Sequence, residues 1–258
     1  MPFTLAHIGY ILPVKKKWKT SFSTTGLVFG SLAPDYDILF RITNVRFHLF
    51  QYDLIEILLY ILPLSMLSAF FFHLFCRNIL IEHLPEQFEH RYRQYKDVDF
   101  IQLLKKHFIR ISASALFAIL LHLLLDFLCH MLDAHSLKMA VFSLFQNEFM
   151  ASSAYFLGIY GLPVLFSLAG FYLIFRYEFP KPVSVHSFKL TKNKLQFWSV
   201  FLISTLLIAA IKIKITEADL EFYADYIIIS LTTSLMLATY FTCLIYAARG
   251  FFLKKINR

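Results

Sequence analysis

Residues 111–132 read ISASALFAILLHLLLDFLCHML, an apolar run long enough to cross a bilayer that carries three polar side chains at spacings of four: His122, Asp126 and His130. An ionised Asp at the centre of a membrane helix costs about 2.5–3.5 kcal/mol on insertion scales, so such a residue is kept mainly where it faces a partner, a cavity or an ion. Successive residues of a helix are about 100° apart, so positions i, i+4 and i+8 follow one slowly drifting face and can point at one place. Two imidazoles and a carboxylate on that face suit a divalent metal, zinc foremost. An interhelical hydrogen bond or a proton relay is the other use of such a set.

Composition around this stretch gives the same setting. The chain of 258 residues is 58% hydrophobic and 16% charged, with 30 Phe and 14 Tyr, and its mean hydropathy is +0.61. Soluble domains rarely have this composition. The net charge of +8 sits in short clusters between apolar runs, which is the pattern of membrane topology and not of nucleic-acid binding. The expected partner is therefore the lipid bilayer, with no nucleic acid. Cys76, Cys129 and Cys243 fall in or at the ends of apolar runs without CxxC spacing, which indicates neither a disulfide framework nor a thiolate zinc site. The opening MPFTLAHIGYILPVKKKWK puts its apolar part before its basic cluster, the reverse of a signal peptide, and is expected to be retained.

Five segments approach the ~20 apolar residues that a bilayer core requires: Leu54–Cys76, Ile111–Leu132, Tyr155–Phe175, Leu195–Ile211 and Tyr226–Ala248. The connections Arg77–Arg110, Arg176–Lys194 and Arg249–Arg258 are basic, whereas Met131–Ala154 and Lys212–Asp225 are poor in basic residues or acidic. Their alternation places the first set in the cytoplasm, the second outside and the C-terminus inside. The expected fold is all-α: a polytopic helical membrane protein with about five full transmembrane helices plus an N-terminal helical hairpin, in the inner (cytoplasmic) membrane. It forms a single integral membrane domain over residues 1–258, with the hairpin in 1–53, core spans in 54–132 and three further spans in 154–248. In the hairpin, Leu5–Val14 is too short to cross at ~1.5 Å per residue and reads as a partial or re-entrant helix. Ser21–Pro34 then rises toward the outer face, with Ser21 as N-cap and Pro34 as stop. Gly26 and Gly30 in it make a GxxxG, a sign of close helix packing. The connection Asn78–Lys106 mixes aromatics with both charge signs and reads as one or two amphipathic surface helices.

This topology rests on Lys and Arg alone, yet it brings the unusual polar residues to one end of the bundle. His130, Asp126 and His122 descend from the outer end of the second span, Asp35 and Asp37 follow the rising helix, His48 precedes the first span, and His7 opens the re-entrant helix. His73 falls near the inner end, and His83, His90, His107 and His186 fall in basic connections. Taken singly, His7 reads as a packed histidine, Pro34-Asp35-Tyr36-Asp37 as a helix-ending turn and His48 as an interfacial side chain. Should Asp35 and His122 share an ion, their side-chain atoms must lie within about 5 Å, since each ligand sits ~2.0–2.2 Å from it.

The opening MPFTLAHIGYILP, GSLAPDYD at Gly30–Asp37, His48 followed by an apolar span with LPL, and HLLLDFLCH at His122–His130 together resemble the bacterial membrane family known as domain of unknown function 4184. The likeness covers roughly the first two thirds of the chain. More distantly, the pattern is similar to YdjM-type membrane-bound metal-dependent hydrolases and to the zinc-dependent phospholipase C and nuclease fold. The resemblance implies a metal-binding membrane hydrolase whose ligands are drawn from His7, Asp35, Asp37, His48, His122, Asp126 and His130. A zinc-lowered water pKa near ~7 would suit attack on a phosphoester or another ester, and a site at interfacial depth would suit a lipid-linked substrate. The alternative is a non-enzymatic membrane protein, either an ion- or proton-handling bundle or a structural one. That reading expects polar groups across the full membrane depth, and the last two spans offer hydroxyls such as Ser204, Thr205, Ser230 and Thr233 but no charge. Nothing in the sequence sets an oligomeric state.

Overall fold

The computed structural model describes residues 4–18, 20–36, 53–131, 134–156, 162–178, 191–215 and 223–256, and every regular element among them is helical. Helix α1 is His7–Lys17 and α2 is Thr24–Leu32. The three lysines that end α1, Lys15, Lys16 and Lys17, lie where the helix dipole favours cations. The cap of α2 is Ser23, not Ser21. Its Oγ accepts from the Gly26 N–H at 3.4 Å, while its own N–H donates to Ser114 Oγ at 2.8 Å. Ser21 falls instead in the turn closed by the Phe22 N–H on the Trp18 carbonyl. Pro34 lies, as expected, just past α2, in a 3-10 turn over Ala33–Asp35.

The first long helix, α3, is Leu54–His83. It contains wide π turns at Ile57–Ile61 and Phe72–Cys76. The first comes directly before Pro63, which has no N–H to complete the ladder and so favours a local widening there. A short helix, α4 (Glu86–Tyr92), leads to α5 (Phe100–Met131), which is kinked at His107 with φ −126° and ψ 25°. Of the amphipathic surface segment expected at Asn78–Lys106, Asn78–His83 instead ends α3, and the rest contains α4 and the first turns of α5.

The outer connection expected at Met131–Ala154 contains two helices, α6 (Ala134–Phe145) and α7 (Glu148–Phe156), which pack on each other. The chain reverses between them at Gln146, which takes a left-handed conformation with φ 49°. Helices α8 (Leu162–Glu178), α9 (Lys192–Ile215) and α10 (Tyr223–Ile256) follow. Of the span expected at Tyr155–Phe175, residues 157–161 lie outside the described residues, and the parts on either side, Glu148–Phe156 and Leu162–Glu178, are helical. Tyr155 belongs to α7 and Phe175 to α8. Among the described residues, the apolar part of α8 is Val164–Arg176.

Among the described residues, four helices are long and apolar enough to cross a membrane: Leu54–His83, Phe100–Leu128, Lys192–Lys214 and Ser230–Arg249. Only 22% to 33% of each apolar window is buried inside the protein, which leaves the rest for lipid. The protein is a multi-pass helical membrane protein. In lipid, burying an apolar side chain brings little hydrophobic gain, so close packing must hold the helices together. Helix α2 shows how. A Cβ on Gly26 or Gly30 would collide with the carbonyl oxygen of Ile111 or Ala115, so α2 lies backbone against backbone on α5 and runs parallel to it. On its other side Phe29 meets Phe72 of α3 at 5.4 Å between ring centroids. Leu32, Ala33, Tyr36, Ile57, Ile61 and Ile119 close the core between the three helices. Helix α1 reaches α8 in the same manner, with Gly9 on Gly170 and the Tyr10 hydroxyl donating to the Phe166 carbonyl at 2.6 Å. Cys76 and Cys243 are buried together with Phe197 as packing residues.

Candidate metal centre

His122 and Asp126 are one turn apart on α5, and Nε2 of His122 lies 3.2 Å from Oδ2 of Asp126. The turn after α2 brings Asp35 to the same nitrogen, with Oδ1 at 3.5 Å. The first residue of α1 supplies His7, whose ring stacks on that of His122 with centroids 3.8 Å apart and planes 13° from parallel. His7 Nε2 lies 3.8 Å from Asp126 Oδ1. Three separate helical segments thus deliver four polar side chains to one place. His7 and His122 are 1% exposed and Asp35 is 9% exposed.

The orientation of His122 is set by a backbone group. Its Nδ1 lies 2.7 Å from the Ser31 carbonyl oxygen, which can only accept, so Nδ1 carries the proton and Nε2 is turned toward the carboxylates. Ser31 lies in the last turn of α2, where a carbonyl has no partner within its own helix. An imidazole held by one nitrogen on a carbonyl while the other faces carboxylates is the arrangement that metal-ligating histidines adopt.

The remaining atoms favour an ion. Both ring nitrogens of His7, Nε2 of His122 and Oδ2 of Asp35 are buried without a hydrogen-bond partner among the described residues. A buried polar group left in that state costs about 1–3 kcal/mol, more if charged. One ligand atom from each of His7, His122 and Asp126 can be chosen so that all lie within 4.8 Å of one another. Two ligands about 2.1 Å from a tetrahedral ion stand ~3.4 Å apart, which is close to the 3.2, 3.5 and 3.8 Å separations here. The 3.5 Å between Asp35 and His122 is inside the limit that a shared ion sets. With neutral imidazoles and ionised carboxylates the cluster holds two negative charges, which a divalent cation balances. These residues fit the metal that the sequence resemblance implies.

Of the other expected ligands, Asp37 and His48 lie outside the described residues, as does the side chain of His130. His73 is not part of the cluster; it lies on α3 against Thr25. Two features were not read from the sequence. The Ser31 carbonyl has no side-chain signature. Lys212, read as the start of an outer connection, lies inside α9, 5% exposed, with Nζ donating to Thr233 Oγ1 of α10 at 2.6 Å. Its signal was the buried stripe Thr205, Ala209 and Lys212 at helical spacing.

Searches among curated proteins and among solved structures found no match to this chain. A family model does match, and it covers the four clustered residues together with nearly all of the chain. The chain belongs to the family described as Domain of unknown function (DUF4184), whose model matches residues 1–248.

Proposed function

We propose that this protein is a membrane-embedded, divalent-metal-dependent hydrolase, with zinc as the metal and a phosphoester or other ester, lipid-linked, as the substrate. The observation that carries this reading is the set of buried, unpartnered ligand atoms from His7, Asp35 and His122 facing Asp126. His122 would bind through Nε2, oriented by Ser31, with His7 and Asp126 as further ligands and Asp35 as a fourth ligand or an orienting carboxylate. A bound divalent ion supplies Lewis acidity toward a substrate oxygen and toward water. Asp126, the most open of the four with a side chain 27% exposed, marks the side from which substrate and water reach the cluster. Its second oxygen can hold a proton in transit, while the buried His7 and Asp35 keep bulk water from the far side.

By the distribution of basic residues, the protein lies in the inner membrane with the C-terminus in the cytoplasm and the cluster toward the outer leaflet. Cysteine-accessibility mapping is expected to place Arg91, Lys189 and the C-terminus on one side and His135 on the other. Finding Arg91 and His135 on the same side overturns this orientation.

A proton- or ion-handling bundle is the second reading, and the buried Lys212 is the observation in its favour. Against it, the hydroxyls of Thr205, Thr233 and Thr239 are each turned back onto a carbonyl of their own helix. Elemental analysis of the detergent-purified protein separates the two. Stoichiometric zinc or another transition metal is expected, and metal-free protein that also fails to take up zinc on titration removes the hydrolase reading.

A further inference from the structure

At the end of the bundle where Lys192 opens α9 and Arg249 follows the apolar run of α10, a groove of about 490 Å³ runs between the two helices. Its α9 wall is one helical stripe, Lys192, Gln196, Ser199 and Ile203, at spacings of four, three and four. The stripe begins with a cation, passes through two neutral polar side chains and ends on an aliphatic one, exposed to 57%. The opposite wall carries Tyr246 and Arg249, one turn apart on α10. Tyr246 is braced edge-on by Phe197 at 5.1 Å and by His83 at 5.0 Å. Lys192 and Arg249 are exposed and have no ion-pair partner among the described residues. Lys192 opens α9 and Arg249 follows the apolar run Tyr226–Ala248, and basic residues flanking apolar spans sit at headgroup level. From Lys192 to Ile203 the stripe descends about 16 Å at ~1.5 Å per residue, the depth of one leaflet of a ~30 Å hydrocarbon core.

We infer that this groove binds one anionic phospholipid, with its phosphate between Lys192 and Arg249 and an acyl chain along the stripe to Ile203. Charge complementarity selects the headgroup, since two unpaired cations at the rim of an apolar channel are solvated best by an anion that brings its own hydrocarbon. Basic pockets between membrane helices serve this purpose generally. The site is separate from the His122 cluster and does not rest on the hydrolase reading.

Native mass spectrometry of the full chain in detergent, with added phosphatidylglycerol or phosphatidylcholine, tests it. One phosphatidylglycerol per chain is expected, with phosphatidylcholine binding far more weakly and inorganic phosphate unable to displace the lipid. The double variant Lys192→Gln, Arg249→Gln is expected to weaken phosphatidylglycerol binding roughly thirtyfold, and Lys192→Arg is expected to retain it. Ile203→Trp keeps both cations and fills the floor of the groove, and is expected to weaken binding about fivefold. All three positions are exposed, so an unchanged melting curve checks that each variant folds, and metal content should match the wild type. Wild-type affinity in the double variant, wild-type affinity in Ile203→Trp, or displacement by inorganic phosphate each overturns the proposal.

Discussion

Helix α2 holds one intramembrane histidine at each of its ends, and the two are treated in opposite ways. At its start, His73 has both ring nitrogens engaged: Nε2 donates to Thr25 Oγ1 at 3.0 Å and Nδ1 accepts from Arg77 Nη1 at 3.4 Å. Its ring also lies on Phe100, with centroids 4.0 Å apart. At the other end, His122 has Nδ1 on the Ser31 carbonyl and Nε2 free of hydrogen bonds among two carboxylates and a second imidazole. A histidine inside a membrane helix is therefore not a site by itself. What distinguishes the two is the balance of donors and acceptors around each ring. Around His73 the balance closes through hydrogen bonds to Thr25 and Arg77, while Nε2 of His122 faces two carboxylates without a hydrogen bond.

The contrast extends to the whole of each end. Near His73, Arg77 donates to the Val98 carbonyl, Trp198 to that of His83, and Lys194 to both Glu89 and the Leu84 carbonyl. Near His122, the corresponding atoms of His7 and Asp35 remain unpartnered.

The largest expected effect comes from α2 itself, because it positions both histidines. Gly30→Leu places a side chain where even a Cβ meets the Ala115 backbone, and overpacking of this kind costs about 1–3 kcal/mol or more. The variant should show a strongly lowered melting temperature and lose metal as well; wild-type stability would mean that α2 does not lie on α5 as described. Next in size, Asp126→Ala should lower bound metal by at least the ~10–100-fold that loss of a supporting residue already causes. His73→Ala, by contrast, should cost stability and leave the metal unchanged. Equal metal content in wild type and Asp126→Ala would erase the difference between the two ends.

The smallest effect belongs to the ion-paired end. Hydrogen bonds from Lys194 and Arg93 hold the Glu89 carboxyl below its ordinary value of 4.5. A carboxyl depressed on folding adds stability that is fully present above the unfolded pKa and is lost as the pH falls through the folded one. The stability gap between wild type and Glu89→Gln should accordingly be present at neutral pH, shrink below about pH 4.5, and stay under roughly 1 kcal/mol because the pair is partly solvated. A gap that widens in acid would contradict this pairing.

How much of this was legible beforehand follows from which features are side-chain features. The spans, the GxxxG contact and the His122/Asp126 face are patterns of residue type, and hydrophobic periodicity reports them directly. The meeting of His7 and Asp35 with α5 came through charge bias, because Lys and Arg order the spans and so bring distant residues to a common depth. Two features were not accessible in that way. The orientation of His122 depends on a main-chain oxygen, which every residue possesses. Helices α6 and α7 were read as a connection because few basic residues mark them, yet Leu144 and Phe149 are 75% and 80% exposed, an apolar surface suited to lipid.

The crossing of Gly9 on Gly170 has a consequence for the order in which the molecule is completed. His7 is synthesised ahead of the other three residues of the cluster, but the helix that seats it packs against α8, made more than a hundred residues later. A nascent chain that has produced α5 already carries Asp35, His122 and Asp126, and it must still wait for Gly170 before α1 has its final neighbour. The pocket is thus not a property of the first half of the chain. A fragment ending at residue 132 would inherit most of the donors without the wall that holds the earliest one, and transplanting those residues alone would not transplant the site.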